Sequence, residues 1–341
     1  MSKKFNVAVV GATGLVGRTM VRVLEARDFP VERLTLFASE RSAGKILKFK
    51  EEDVEVQTLD EKSFKKTDIA LFSAGKEVSI KYAPISAENG CIVIDNGSYW
   101  RMDSRVPLIV PEVNPDALDK HNGIIANPNC STIQLVVALK PIDVQYKLKR
   151  IVVSTYQSIS GAGQKAVDRL LKEVWGVKDP SDEYMHKIAY NTLFHEIKDD
   201  EGFSIEEIKM MNEIRKIMEL PDLKIAVTCV RLPILGGHGE SVNIETEKEF
   251  DVQQLRELLR TQKDLVLLDK PKEELYPTVN ISKETDLVYV GRIRKDNSVK
   301  NGAYLWVVSD NLRKGAATNA VQIAEILVQK NLFKYDKIKF N

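Results

Sequence analysis

Short, nearly unbroken apolar runs alternate with amphipathic stretches over the first 130 residues. Phe5–Val10 is the first run, followed by glycines and by Leu15–Ala26, whose apolar positions recur at helical spacing. Leu34–Ala38, Ile69–Ala74 and Cys91–Asp95 are further β-branched runs, with the helix-like Ile80–Asn89 before the last, and Ile124–Asn127 closes the series. Strands buried on both faces carry such continuous runs, and their alternation with helices predicts a parallel, doubly wound α/β sheet.

After Pro128 the pattern changes. Ser131–Leu139 is apolar and helical, and Pro141 is expected to stop it. Arg150–Ser158, Lys224–Leu232, Ser241–Glu247, Leu287–Arg294 and Ala303–Ser309 then show longer strands, many alternating with period two, which predicts a mixed or antiparallel sheet. Helices at Gly163–Val174, Ser204–Met218 and Val252–Thr261 are expected to cover one face of it. Lys178–Asp200 is polar and irregular, a surface excursion, and Gly315–Gln329 is a closing helix with an apolar face. The expected organisation is an α/β domain, residues 1–128 completed by 313–341, and an α+β domain with a mixed sheet, residues 129–312.

Composition narrows the function. The 341 residues amount to about two domains at roughly 150 each. Fifty Lys+Arg against 49 Asp+Glu leave a net charge of +1, so neither nucleic acid nor a membrane surface is an expected partner. No apolar run approaches the roughly 20 residues of a membrane-spanning helix. The opening Met-Ser-Lys-Lys-Phe-Asn lacks the apolar core of a secretory signal. Three widely spaced cysteines cannot form a disulfide framework, so a reducing, cytoplasmic setting is expected and each cysteine is a thiol.

Three segments carry candidate chemistry. Gly11, Gly14 and Gly17 lie between a strand and a helix in a G-x-x-G-x-x-G turn, where backbone can approach a pyrophosphate at a helix N-terminus. This points to a Rossmann-type dinucleotide site, with a tight βα turn as the alternative. At the end of the next strand Glu40 is available for a ribose hydroxyl, but Arg41 and Ser42, with Lys45 near, suit a 2′-phosphate, so NADP is expected over NAD. Cys130, in Asn127-Pro-Asn-Cys-Ser-Thr, falls at a helix start, where the helix dipole favours a thiolate, whereas Cys91 and Cys229 sit in apolar strands as small hydrophobes. Of the four histidines, His121, His186 and His195 are expected to be solvated; His238, in a Gly-Gly-His-Gly loop joining two strands, is the candidate acid/base partner. Gln157 interrupts an apolar strand and could orient an acyl group, and Arg231 could clamp a carboxylate. No metal site is expected.

Together these segments resemble the aspartate-β-semialdehyde dehydrogenase family. The resemblance runs essentially from end to end through GATGLVG, SERSAGK, DNGSYWR, IVPEVN, ANPNCST, YQSISGAG, EEIKMMNE, RLPILGGHGES and DNLRKGAATNAVQIAE. It implies NADPH-dependent reductive dephosphorylation of L-4-aspartyl phosphate to aspartate semialdehyde through a thioester on Cys130, in lysine, threonine, methionine and isoleucine synthesis. His238 would be the acid/base, Gln157 would hold the substrate, Arg231 its α-carboxylate and Glu206 its α-amino group. Lys209 and Arg101 would bind phosphate, with Asn129 near. Gly11, Thr13, Gly14, Leu15, Val16, Arg41, Ser42, Ser160, Gly161 and Asn311 would contact NADP. The family suggests a homodimer or homotetramer. N-acetyl-γ-glutamyl-phosphate reductase and a non-catalytic dinucleotide-binding protein are the alternatives.

Overall fold

The computed structural model describes residues 3–177, 186–335 and 340. The chain divides into two compact units, residues 1–129 with 316–341, and residues 130–315. Residues 178–185, at the start of the expected surface excursion, lie outside the described residues.

The first unit contains β1 (Phe5–Val10), α1 (Leu15–Ala26), β2 (Val31–Ala38), β3 (Ile46–Phe49), β4 (Glu52–Thr58), β5 (Ile69–Phe72), α2 (Lys76–Glu88), β6 (Ile92–Asp95) and β7 (Ile124–Ala126). Its sheet runs β3-β4-β2-β1-β5-β6-β7. Pairing is parallel throughout except for the edge strand β3, antiparallel to β4. Counted among the parallel strands alone, the order is 3-2-1-4-5-6, the doubly wound dinucleotide-binding arrangement with its reversal of strand order at β1/β5. The core gathers Val7, Val9, Leu36, Leu71 and Ile94 under Met20 and Leu24 of α1. The closing helix Thr318–Lys330 adds Ala320, Ile323 and Leu327 to the same core, and Glu325 takes two hydrogen bonds from Arg27, at 2.7 and 2.8 Å. The β3–β4 hairpin escaped the sequence reading because its strands are short and mostly exposed, so no long apolar run marks it.

The second unit is built from α3 (Cys130–Tyr146), β8 (Leu148–Ser158), α4 (Gln164–Val174), β9 (Leu193–Phe194), α5 (Ile205–Met218), β10 (Lys224–Leu232), β11 (His238–Thr246), α6 (Val252–Arg260), β12 (Leu265–Leu267), β13 (Val288–Asp296) and β14 (Gly302–Ser309). The sheet order is β12-β13-β14-β11-β8-β10-β9, a mixed sheet with two parallel pairs, β10 with β8 and β12 with β13. Helices α3, α5 and α6 pack on it and on one another.

Four expectations change. Pro141 does not stop α3, which continues to Tyr146. A proline removes only one helical hydrogen bond, and Ile142, Asp143 and Tyr146 beyond it are buried, so packing outweighs that loss. Helix α4 does not cover the sheet face but forms a small cluster of its own, Ala166 and Leu170 with Ile159 and Ile188, against which Leu193 of the edge strand β9 packs. His238 is not in a loop: β11 begins there, three residues earlier than the apolar alternation suggested, because Gly239 and Ser241 pair with β8 despite their small side chains. His121 is buried at 4 % exposure, its Nε2 3.0 Å from the Leu332 carbonyl oxygen, because the chain after the closing helix folds back over it.

Candidate active site

Period-two geometry brings the candidate residues of the second unit to one place. On β8, Ile151, Val153, Thr155 and Gln157 are buried on one face. On β10, Val227 and Cys229 are buried and Arg231 continues their face; on β11, His238, Glu240 and Val242 do the same. β8 and β10 are parallel, with Gln157 opposite Arg231. β11 is antiparallel to β8, with Gly239 opposite Tyr156. The carboxyl ends of two strands and the amino end of the third therefore coincide, and the N-terminus of α3, with Cys130 as its first residue, meets them there.

The Cys130 sulfur lies 3.1 Å from His238 Nε2. Cys130 is partly accessible, whereas Cys91 and Cys229 are buried. Burial pushes the Cys91 thiol well up and that of Cys229 above any physiological range, so both are inert hydrophobes. A side chain on Gly315 would come to 3.0 Å from the Cys130 Cβ; only glycine leaves the thiol its place.

His238 is wholly buried, and burial, aided by the Arg231 cation, lowers its pKa to about 3. Its Nδ1 accepts the Ser158 backbone N–H at 3.0 Å. A nitrogen that accepts carries no proton, so the neutral ring has its proton on Nε2, facing the sulfur. Gln134 of α3 holds the backbone of the same residue by donating to its carbonyl at 3.3 Å.

Gln157, 1 % exposed, donates to Ser131 Oγ at 2.6 Å and to Glu206 Oε1 at 3.2 Å, and its own oxygen has no partner among the described residues. Glu206 and Lys209 share one side of α5, 3.6 Å apart. That helix is fixed by a capping box of Ser204 and Glu207, and Glu207 also accepts the Cys229 backbone N–H at 2.9 Å. Arg231 donates from Nη1 to the Ser158 carbonyl at 2.8 Å, and a side chain on Gly161 would come to 3.1 Å from that nitrogen. Ser160 and Asn311 hydrogen-bond each other at 3.1 Å, and Asn311 accepts the Gly237 N–H at 3.0 Å, tying down the turn before His238. Cys130, His238, Gln157, Glu206, Lys209, Arg231, Ser160, Gly161 and Asn311 thus all belong to the second unit. His186 is exposed, as expected. His195 is half-buried rather than fully solvated: it stands beside Arg231 with its pKa lowered to about 4, chiefly by burial. Sequence reading also missed Glu240, a fully buried carboxyl whose pKa is raised well above normal by desolvation; it fell just before the expected start of its strand at Ser241, so no alternation marked it.

The remaining candidates lie in the first unit. Gly11 has φ +86°, and a side chain there would run into the Ser73 carbonyl; one on Gly17 would run into that of Gly11. The turn therefore needs glycine both for its conformation and for the close seating of α1. A groove of about 660 Å³ opens over it, lined by Gly11, Thr13, Gly14, Glu40, Arg41 and Tyr82 among others. Ser42 accepts a hydrogen bond from Thr13 Oγ1 at 3.3 Å. Leu15 and Val16 open α1 and are outside this lining. Arg101 is buried and donates to the Asn96 carbonyl at 2.8 Å; Asn129 is also buried. The cradle of bare backbone beside a helix N-terminus and an arginine suits a dinucleotide carrying a 2′-phosphate.

Known proteins resemble the chain over nearly its whole length. The profile described as "Semialdehyde dehydrogenase, NAD binding domain" matches residues 6–121, and "Semialdehyde dehydrogenase, dimerisation domain" matches residues 139–314. An aspartate-semialdehyde dehydrogenase of Aquifex aeolicus is 52 % identical over 96 % of this chain and 99 % of its own. The chain belongs to the aspartate-semialdehyde dehydrogenase family. Within that family, the crystal structure of aspartate semialdehyde dehydrogenase II from Vibrio cholerae, complexed with ASA, is 47 % identical and superposes with a TM-score of 0.92 over 96 % of this chain and 99 % of that one. A Candida albicans aspartate semialdehyde dehydrogenase solved with NADP is 26 % identical, with a TM-score of 0.77 over 97 % of this chain and 100 % of that one. Among the described residues no helix is long and apolar enough to cross a membrane.

Proposed function

We propose that the protein catalyses the reversible, phosphate-dependent interconversion of L-4-aspartyl phosphate and L-aspartate 4-semialdehyde with NADP. The observation that carries this reading is the 3.1 Å approach of Cys130 Sγ to His238 Nε2, with Gln157, Glu206 and Arg231 gathered on the same face. Family membership supports the substrate class, and the relatives solved with ASA and with NADP support the substrate and the cofactor.

The roles follow from the chemistry of each side chain. Cys130, at the positive end of α3, attacks the acyl phosphate as a thiolate; a C–S bond forms as the C–O bond to phosphate breaks. Arg231 binds the α-carboxylate and Glu206 the α-ammonium. Lys209 holds phosphate; Arg101 and Asn129 are assigned to the phosphate site on the family resemblance alone. Gln157, with its unpartnered oxygen, orients the acyl group. When bound, the reduced nicotinamide supplies the hydrogen and two electrons that convert the thioester carbonyl to the aldehyde level. Cys130 then leaves as a thiolate while the carbonyl re-forms. At rest His238 carries its proton on Nε2 and donates to the sulfur when the sulfur is negative; this replaces the acid/base role expected from the sequence, because burial keeps the ring from taking a second proton.

NADP would be held by the first unit, residues 1–128 with 313–341: Gly11, Thr13, Gly14, Leu15 and Val16 at the phosphates and Arg41 with Ser42 at the 2′-phosphate. Ser160, Gly161 and Asn311 would serve the nicotinamide end. Residues 129–312 would be the catalytic and dimerisation domain. The sheet face opposite α3 bears an apolar groove of about 390 Å³ near Tyr156, Leu232 and Trp306, which supports pairing of two copies. A homodimer or homotetramer, a cytoplasmic location and no nucleic-acid partner complete the reading. Reduction of NADP by aspartate semialdehyde, strictly dependent on added phosphate, tests it; no turnover, or turnover indifferent to phosphate, would overturn it.

A further inference from the structure

The polar excursion between α4 and α5 returns one histidine to the site. β9 is only two residues long, yet it pairs antiparallel with β10, setting Leu193 opposite Arg231 and Phe194 opposite Val230. This pairing brings the next residue, His195, alongside the guanidinium: Nδ1 lies 3.3 Å from Arg231 Nη2. Glu206, Lys209 and Glu207 of α5 are the other charged groups that face the ring. A guanidinium can only donate, so Nδ1 must be the acceptor and the ring must be neutral. Burial, which holds the pKa at about 4, keeps it so across the working pH range. The Ser158 carbonyl takes Nη1 while the histidine takes Nη2. The two contacts fix the plane of the fork, which sets how a carboxylate is met bidentately. The His195 Nε2 is buried with no partner among the described residues, so the contact with Arg231 is the one that holds the ring.

We propose that His195 is a positioning residue that orients the Arg231 guanidinium for the substrate's α-carboxylate. This rests on the reading of Arg231 as the carboxylate site. His195→Ala should raise KM for aspartate semialdehyde about 5- to 20-fold, with kcat within about twofold and KM for phosphate unchanged. His195→Asn, whose side-chain oxygen can replace Nδ1 as acceptor, should recover KM to within about threefold of the parent. In an Arg231→Leu background His195→Ala should add nothing further. An unchanged KM in His195→Ala, equal impairment of the Ala and Asn variants, or losses confined to kcat would each overturn the inference. If Arg231→Leu raises KM for the semialdehyde but His195→Ala does not, only the positioning role fails. If Arg231→Leu itself leaves that KM untouched, the carboxylate reading fails and the role of His195 falls with it.

Discussion

Lowering the pH from 7 to 5 should leave the ring of His238 uncharged. An imidazole with the usual pKa of ~6.5 is about 97 % protonated at pH 5, whereas one at about 3 is about 1 % protonated. The gap is worth about 5 kcal/mol, at about 1.36 kcal/mol per pKa unit. It has two structural causes: complete burial, and the nearby Arg231 cation. Because the folded value lies below the unfolded one, the unfolded chain takes up the proton first. The neutral ring's contribution to stability is therefore complete above about pH 7 and declines as pH falls, with about 2 kcal/mol gone by pH 5 and the rest by about pH 3. Only four histidines are present, so ring resonances of isotope-labelled protein can be assigned with single substitutions. The expected spectrum shows no titration of His238 between pH 5 and 8 and a nitrogen pattern with the proton on Nε2, as the Ser158 N–H contact requires. A midpoint between pH 6 and 7, or a proton on Nδ1, would refute the reasoning and return to His238 the role of a proton-accepting base.

Other outcomes follow from the same geometry. Cys130→Ser should abolish phosphate-dependent semialdehyde oxidation while NADP affinity, measured by calorimetry, stays within about twofold; residual turnover above about 1 % would contradict covalent catalysis. Gly11→Ala places a side chain against the Ser73 carbonyl at φ +86°, and should cost at least about 1–3 kcal/mol of stability in thermal denaturation and abolish NADP binding. Arg41→Ala should weaken NADP by about tenfold or more and leave NAD unchanged, in fluorescence titrations; equal losses for both would remove Arg41 from the 2′-phosphate site.

What could be read from the chain was local. The glycine turn, the thiol at a helix start, and Gln157 and Arg231 on otherwise apolar strand faces each break a pattern within a few residues, and each occupies the kind of place its surroundings implied. The residues that escaped notice depend on distant partners. His195 owes its position to a strand of two residues, too short to leave any periodicity. The tautomer of His238 is set by a backbone N–H eighty positions away, which no side-chain pattern encodes. The β3–β4 hairpin was invisible because an exposed edge needs little apolar surface, and α3 outran Pro141 because burial beyond it outweighed one lost hydrogen bond.

The most direct measurement is to trap the covalent intermediate. The enzyme is incubated with aspartate semialdehyde and NADP in the absence of phosphate, quenched in acid and mapped by peptide mass spectrometry. The account predicts one aspartyl group attached to the peptide containing Cys130 and none on those containing Cys91 or Cys229. An unmodified Cys130 alongside full reduction of the cofactor, or an adduct at either buried cysteine, would contradict it.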